Sequence, residues 1–236
     1  LMDFARLVEV FDRKSVTYQG AHWTLPLPDG PGKALRLTVH PVRQRIPVYL
    51  AALGPTNLEL AGEIADGWLA IFYSPEHAAE SLDHVRRGRA VAGLSMQGFD
   101  VVPTVPLVIG DDLEACAEPV RAYSALYLGG MGSRSQNFYN QLAVRMGFAD
   151  AAARVQDLFL DHKPRDAAAA VPFGFVDTTS LIGPIERIRD RLQAYADAGT
   201  TTLSVTAPQG ALDQRIAGLR SLVHALDAAG LADGMA

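Results

Sequence analysis

The stretch Ala51-Ala52-Leu53-Gly54-Pro55-Thr56-Asn57 holds the residues best placed for chemistry in this 236-residue chain. Small residues let a ligand come close to the backbone. The run stands where an apolar, strand-like segment hands over to a helix. The amide N–H groups of a first helical turn have no partner inside the helix, so they favour an anion, typically phosphate. Thr56 or Asn57 can add a side-chain donor. Taken alone, Gly-Pro after a strand is more commonly a plain turn.

Other candidates are weaker. Gly129-Gly130-Met131-Gly132-Ser133-Arg134 could line a pocket, with Arg134 set against a carboxylate or phosphate, or could simply end a helix. Asn137-Phe138-Tyr139 follows and could act as a lid. Phe72, Tyr73 and Tyr127 could pack on a flat ring or belong to the core. Trp68 reads as core, Asp66 as a turn or capping residue, and His40 as a surface group. None of the six histidines pairs with another at metal-ligand spacing, and no metal is expected. Phosphate-binding Walker and Gly-x-Gly-x-x-Gly loops are absent, as is a Gly-x-Ser-x-Gly elbow.

Composition narrows the class further. The chain is 49% hydrophobic and 20% charged, enough for one sizeable core. A net charge of −5 argues against a nucleic-acid partner. Cys116 is the sole cysteine, which excludes an internal disulfide and fits the cytoplasm. No membrane span or signal peptide is visible. A small-molecule substrate is therefore expected, with room for a homodimer.

The elements that would position the loop are an apolar strand over 47–53, a helix over 57–65 and a second apolar strand over 67–73. Continuous apolar runs point to parallel strands buried on both faces. Further along come a helix over 75–92, a strand over 101–109 interrupted by Pro103 and Pro106, and a helix over 113–126 that Asp111 can cap. A helix over 184–198, a strand over 201–207 and a helix over 212–228 close the chain. Residues 127–180 read as a helical insertion within one domain spanning 1–236. Upstream, 2–12 reads as a helix, 16–25 as a hairpin or excursion and 35–39 as a strand. Four parallel-type strands with their helices make half of an eight-stranded barrel.

The segment Pro47-Val-Tyr-Leu-Ala-Ala-Leu-Gly-Pro-Thr-Asn-Leu-Glu-Leu-Ala-Gly-Glu-Ile-Ala-Asp-Gly-Trp-Leu69 resembles the mid-chain pattern of the bacterial luciferase-like monooxygenase superfamily. Within it, the chain is most similar to the branch that uses the deazaflavin coenzyme F420. Stretches 71–75, 125–132 and 182–184 carry the same resemblance. It implies a (β/α)₈ TIM barrel and an oxidoreductase that moves a hydride between coenzyme F420 and an organic substrate. An FMN-dependent monooxygenase is the alternative. The resemblance also implies that Ala51, Ala52, Leu53, Gly54, Pro55, Thr56 and Asn57 wrap the cofactor's phosphate and ribityl part. Ile71, Phe72 and Tyr73 would lie near the same tail. The family's ring-facing catalytic groups come from its first strands. Leu1 stands where a Met would, and Phe4, Leu7, Val8 and Phe11 already run at helical spacing. A fragment lacking the N-terminal third is therefore expected, with a non-catalytic paralogue or partner subunit as the rival.

Overall fold

The computed structural model describes residues 17–22, 24–33, 38–40, 42–43, 45–208 and 210–232. The helix expected over 2–12 lies outside them, as does most of the strand expected over 35–39. The excursion over 16–25 contains a short antiparallel hairpin, β1 (Tyr18–Gln19) against β2 (Thr24–Leu25).

Apolar runs punctuated by Gly-Pro and Ser-Pro build a parallel sheet with a helix after each strand. Strands β3 (Tyr49–Ala51), β4 (Gly67–Ile71) and β5 (Asp100–Ile109) lie side by side in that order. Helix α1 (Pro55–Ile64) follows β3, and α2 (Ala78–Val91) follows β4 after a 3₁₀ turn at Pro75–His77. Helix α3 (Leu113–Ala125) follows β5. Its cap is Asp112 rather than Asp111: the Asp112 carboxylate accepts from the amides of Glu114 (3.0 Å) and Ala115 (3.2 Å). A π turn at Leu126–Gly130 leads into α4 (Phe138–Arg145), α5 (Ala149–Leu160), α6 (Pro164–Ala169) and α7 (Phe173–Thr178). The chain then returns to the sheet as β6 (Leu181–Gly183), α8 (Ile185–Asp197), β7 (Ser204–Thr206) and α9 (Leu212–Ala228).

Among the described residues five parallel strands are present where four were expected. The extra one, β6, is too short for its sequence to show a strand pattern. Strand β5 organises the sheet, pairing with β4 over Asp100 to Thr104, β7 over Thr104 to Pro106 and β6 over Leu107 to Ile109. Pro103 and Pro106 do not interrupt it. Pro103 falls where the register pairs β5 with β4, and Pro106 where it pairs with β7, so neither sits in a stretch laddered on both sides.

One core lies between the sheet and α1, α2, α8 and α9, with Leu58, Val85, Val101 and Ile188 almost wholly buried. A second fills the space among α3 to α7 around Phe175, Val155 and Val176. Each such aliphatic side chain contributes about 1.5–3 kcal/mol. Helices α1 and α2 approach closely through two glycines. A Cβ on Gly62 would stand 2.2 Å from the Val85 carbonyl oxygen, and one on Gly88 would stand 1.8 Å from that of Glu59. Only glycine allows that approach.

Candidate functional site

The two ends of the sheet differ in chemistry. At the N-terminal ends of the strands, Asp66 accepts from the Val48 amide at 2.8 Å and pairs with Arg45. Asp66 thus ties chain segments together, as its turn reading implies. Tyr49 donates to Asp100, which also accepts from the Thr201 hydroxyl at 2.9 Å. Burial is a lesser influence on the Tyr49 phenol than this hydrogen bond, which raises its pKa. These polar groups satisfy one another.

The C-terminal ends of β3 and β4 instead open into two adjoining cavities of about 260 and 360 Å³. Both share Ala52, Leu53, Ala70 and Ile71. In α/β barrels this is the end that carries active sites. Ala51 pairs in register with Leu69, and both side chains open onto the larger cavity, leaving Leu69 41% exposed although it is central in its strand.

The loop is held from beneath. Trp68 is buried, and its indole N–H donates to the Ala52 carbonyl at 2.9 Å. The core reading of Trp68 therefore stands, with the added role of fixing the loop. Gly54 caps α1 in an extended conformation with no side-chain hydrogen bond. The Leu58 amide reaches back to the Gly54 carbonyl at 2.9 Å. Pro55 has no N–H to offer, which leaves the Thr56 and Asn57 amides without helical acceptors. A Cβ built on Gly54 meets no protein atom within 4 Å. Space beside the first turn is thus free for a ligand, and the donors there are neutral amides.

Of the residues expected at the site, Ala51, Ala52, Leu53, Gly54 and Asn57 line one or both cavities. Ile71, Phe72 and Tyr73 line the smaller one, with Ile71 reaching both. Pro55 and Thr56 line neither and are exposed. Phe72 takes a left-handed backbone conformation, φ 50°, at the strand end. Strained conformations of this kind gather at functional sites. The Tyr73 hydroxyl is committed away from the cavity, donating to the Ala198 carbonyl at 2.6 Å. Burial raises its pKa, so it stays a neutral donor.

An aromatic wall faces the loop. Tyr123 and Tyr127 from the end of α3 and the π turn, with Phe138 and Tyr139 from α4, line the larger cavity. Tyr127 stands 4.8 Å from both Tyr123 and Tyr139, centroid to centroid. Burial first, and then Tyr127, push the phenols of Tyr123 and Tyr139 above their ordinary range. Phe138 is 57% exposed at the mouth. Asn137 holds this wall in place. Its carboxamide oxygen caps α4 at the Tyr139 and Asn140 amides, both at 3.0 Å. Its NH₂ donates to the Tyr127 and Leu128 carbonyls of the π turn at 2.9 and 3.0 Å.

The glycine run behaves structurally. Gly129 and Gly130 pack against the Phe159 ring, where a Cβ would clash, and Arg134 pairs with Asp157 outside both cavities. Sequence reasoning missed Arg145. It lines the smaller cavity, and its Nη2 donates to the Leu53 carbonyl at 3.2 Å. His77, Glu80 and Glu76 share that wall, with Glu76 bound by Arg191, Ser74 and Thr178. Among the described residues no group of three or more His, Cys, Asp or Glu could hold a metal ion. None of their helices is long and apolar enough to cross a membrane.

Comparison with known proteins places this geometry. The family model for the luciferase-like monooxygenases matches residues 3–202. The chain is 38% identical over 206 residues to Rv3520c of Mycobacterium tuberculosis, which its name assigns to the coenzyme F420-dependent oxidoreductases. That match covers 84% of this chain and 59% of the relative. It is 24% identical over 170 residues to the 5,10-methylenetetrahydromethanopterin reductase of Archaeoglobus fulgidus, covering 70% of this chain and 49% of that protein. The structure of the coenzyme F420-dependent tetrahydromethanopterin reductase from Methanopyrus kandleri matches with a TM-score of 0.72 at 20% identity. It covers 94% of this chain and 59% of that one. That likeness shows the fold, the luciferase-like (β/α)₈ barrel type. The chain spans three fifths or less of the length of each of these proteins.

Proposed function

The chain belongs to the luciferase-like monooxygenase family, and on that premise we propose that it serves an oxidoreductase moving a hydride between the deazaflavin coenzyme F420 and a small organic substrate. The observation that carries this reading is the 38% identity to a protein assigned by name to F420-dependent oxidoreductases. The cavity at the Gly54 loop agrees with it. The deazaflavin, when bound, supplies the hydride chemistry, and the protein holds and orients it.

The loop fits a phosphate tail. The free amides of Thr56 and Asn57 point out of the first turn of α1, whose dipole favours an anion. Ala51, Ala52 and Gly54 keep side chains out of the way. Asn57 can donate to tail hydroxyls, and Ile71, Phe72 and Tyr73 shape the wall beyond. Tyr127, Tyr139 and Phe138 give the larger cavity an aromatic wall, which suits a flat ring and an apolar substrate. In this reading residues 127–180 are a helical insertion that supplies this wall to a single partial barrel domain. The protein works in the cytoplasm, and the exposed Leu212, Leu219 and Val223 of α9 give a second copy of the chain a surface to meet.

Fluorescence titration of the whole protein with coenzyme F420 and, separately, with FMN tests the reading. Saturable binding of F420 with weaker binding of FMN is expected. Tight FMN binding with no response to F420 would replace the reading with an FMN-dependent monooxygenase. No binding of either would favour a non-catalytic paralogue or partner subunit.

A further inference from the structure

The Gly54 loop is electrically neutral, and that is at odds with the charge it is proposed to hold. A phosphate ester carries at least one full negative charge near neutral pH, whereas a helix N-terminus offers about +0.5. The wall of the larger cavity has no charged side chain. On the smaller cavity's wall, Glu76, Glu80, His77 and Arg145 are the titratable groups apart from Tyr73. The Glu76 carboxylate is already neutralised by Arg191. Glu80 sits on α2, and among the described residues Arg145 is the only Arg or Lys on either wall.

Arg145 is also the residue that touches the loop. Its single described hydrogen bond runs to the Leu53 carbonyl, directly before Gly54. A guanidinium has five N–H donors in a planar fork, so most remain available. Among the described residues no carboxylate lies within ion-pair distance of Arg145, whereas Arg134 of the same helical segment is paired with Asp157. Arg145 ends α4, whose start is fixed by the buried Asn137. It therefore reaches the loop from a rigid element.

We infer that Arg145 binds the cofactor's phosphate over the Gly54 loop, so that the cation of the phosphate site comes from the helical segment 127–180 and not from the strand–helix loop itself. This rests on the cofactor reading above. The Leu53 carbonyl orients one edge of the guanidinium beside the loop and leaves its other donors for the phosphate.

The test compares two ligands that differ only in the phosphate, 5-deazariboflavin 5′-phosphate and 5-deazariboflavin, on the wild type, Arg145→Gln and Arg145→Lys. Glutamine keeps a donor for Leu53 and removes the charge. Loss of a charge-assisted bond predicts roughly 10- to 100-fold weaker binding of the phosphate in Arg145→Gln. Affinity for the ligand without phosphate should change less than about twofold, and lysine should recover part of the loss by restoring the charge. Equal weakening of both ligands, or no change for either, would overturn the role of Arg145 and leave the cofactor reading standing. A wild type that binds neither ligand would overturn both. Thermal melting of each variant checks that this exposed position leaves the fold intact.

Discussion

Replacing Gly54 by Asp puts a carboxylate where the phosphate is proposed to sit, and replacing it by Asn puts the same shape there without the charge. The backbone at Gly54 is extended, φ −95° and ψ 158°, so either side chain fits without strain. The Cβ enters open space. Gly54 is also the cap of α1, where Asn and Asp serve at least as well as Gly. Both variants should therefore melt at or slightly above the wild-type temperature. Binding should respond differently. Two unit charges about 4 Å apart repel by ~1 kcal/mol in water and by ~4 kcal/mol near a protein surface. The cavity is open to solvent, so the lower half of that range applies. Asp should bind the phosphorylated cofactor roughly 5- to 70-fold more weakly than Asn. The assay is fluorescence titration at low and high salt. Because screening shortens to about 3 Å at 1 M salt, the gap between the variants should shrink there. Equal affinities for Asp and Asn in folded proteins would remove the anion from this loop.

Three further outcomes follow from other contacts. Trp68→Phe removes the donor to the buried Ala52 carbonyl, which should cost about 1–3 kcal/mol in chemical denaturation. It should also loosen the loop enough to weaken cofactor binding in the same titration. Gly88→Ala drives a methyl into the Glu59 carbonyl and the α1 backbone; forcing the helices apart should cost about 1–3 kcal/mol, read as a lower melting temperature. Glu76 has its pKa lowered below the ordinary 4.5, chiefly by Arg191. A lowered folded-state pKa means stability that is fully present above the unfolded value and lost as pH falls beneath it. Melting temperature should therefore drop below about pH 4.5, and Glu76→Gln should flatten that part of the profile.

The legible parts of the fold are those in which neighbouring residues cooperate. The apolar runs at β3 and β4, the Gly-Pro and Ser-Pro punctuation and the helical faces of α1, α2 and α8 are local patterns, and the structure has them near their expected places. Strand β6 escaped because three residues carry no period, and its partner β5 lies more than seventy residues earlier. The prolines of β5 misled for a related reason. Whether a proline breaks a strand depends on which neighbour ladders that stretch, and pairing is not visible along one strand. At α3 the expected cap, Asp111, stands next to a second acid, and only the hydrogen bonds to Glu114 and Ala115 single out Asp112.

The site divides along the same line. The loop was readable because it is contiguous, but its surroundings were not. Arg145 reads as an ordinary basic residue in a last helical turn, where it also complements the helix dipole. Nothing near it in sequence marks the contact with Leu53, ninety-two positions away. The same holds for Tyr123, which meets the loop across a cavity.

The run Ala61-Gly62-Glu63-Ile64-Ala65-Asp66-Gly67 shows what the family likeness reports. It is a fairly specific part of the resemblance, yet none of its residues lines either cavity. Gly62 admits the Val85 carbonyl, Asp66 holds the start of β3 through the Val48 amide, and Gly67 makes room for the Tyr49 ring, 2.3 Å from where its Cβ would stand. Together these contacts fix how β3 and β4 sit side by side, and so set the separation of Ala51 from Ile71 at the far end, where the cavities open. The motif acts on the site through spacing. Ligand chemistry is left to the short loop and to side chains such as Arg145 that approach from another part of the chain. A relative could therefore keep the run unchanged and still bind a different tail, and a substitution within it should alter stability before it alters cofactor choice.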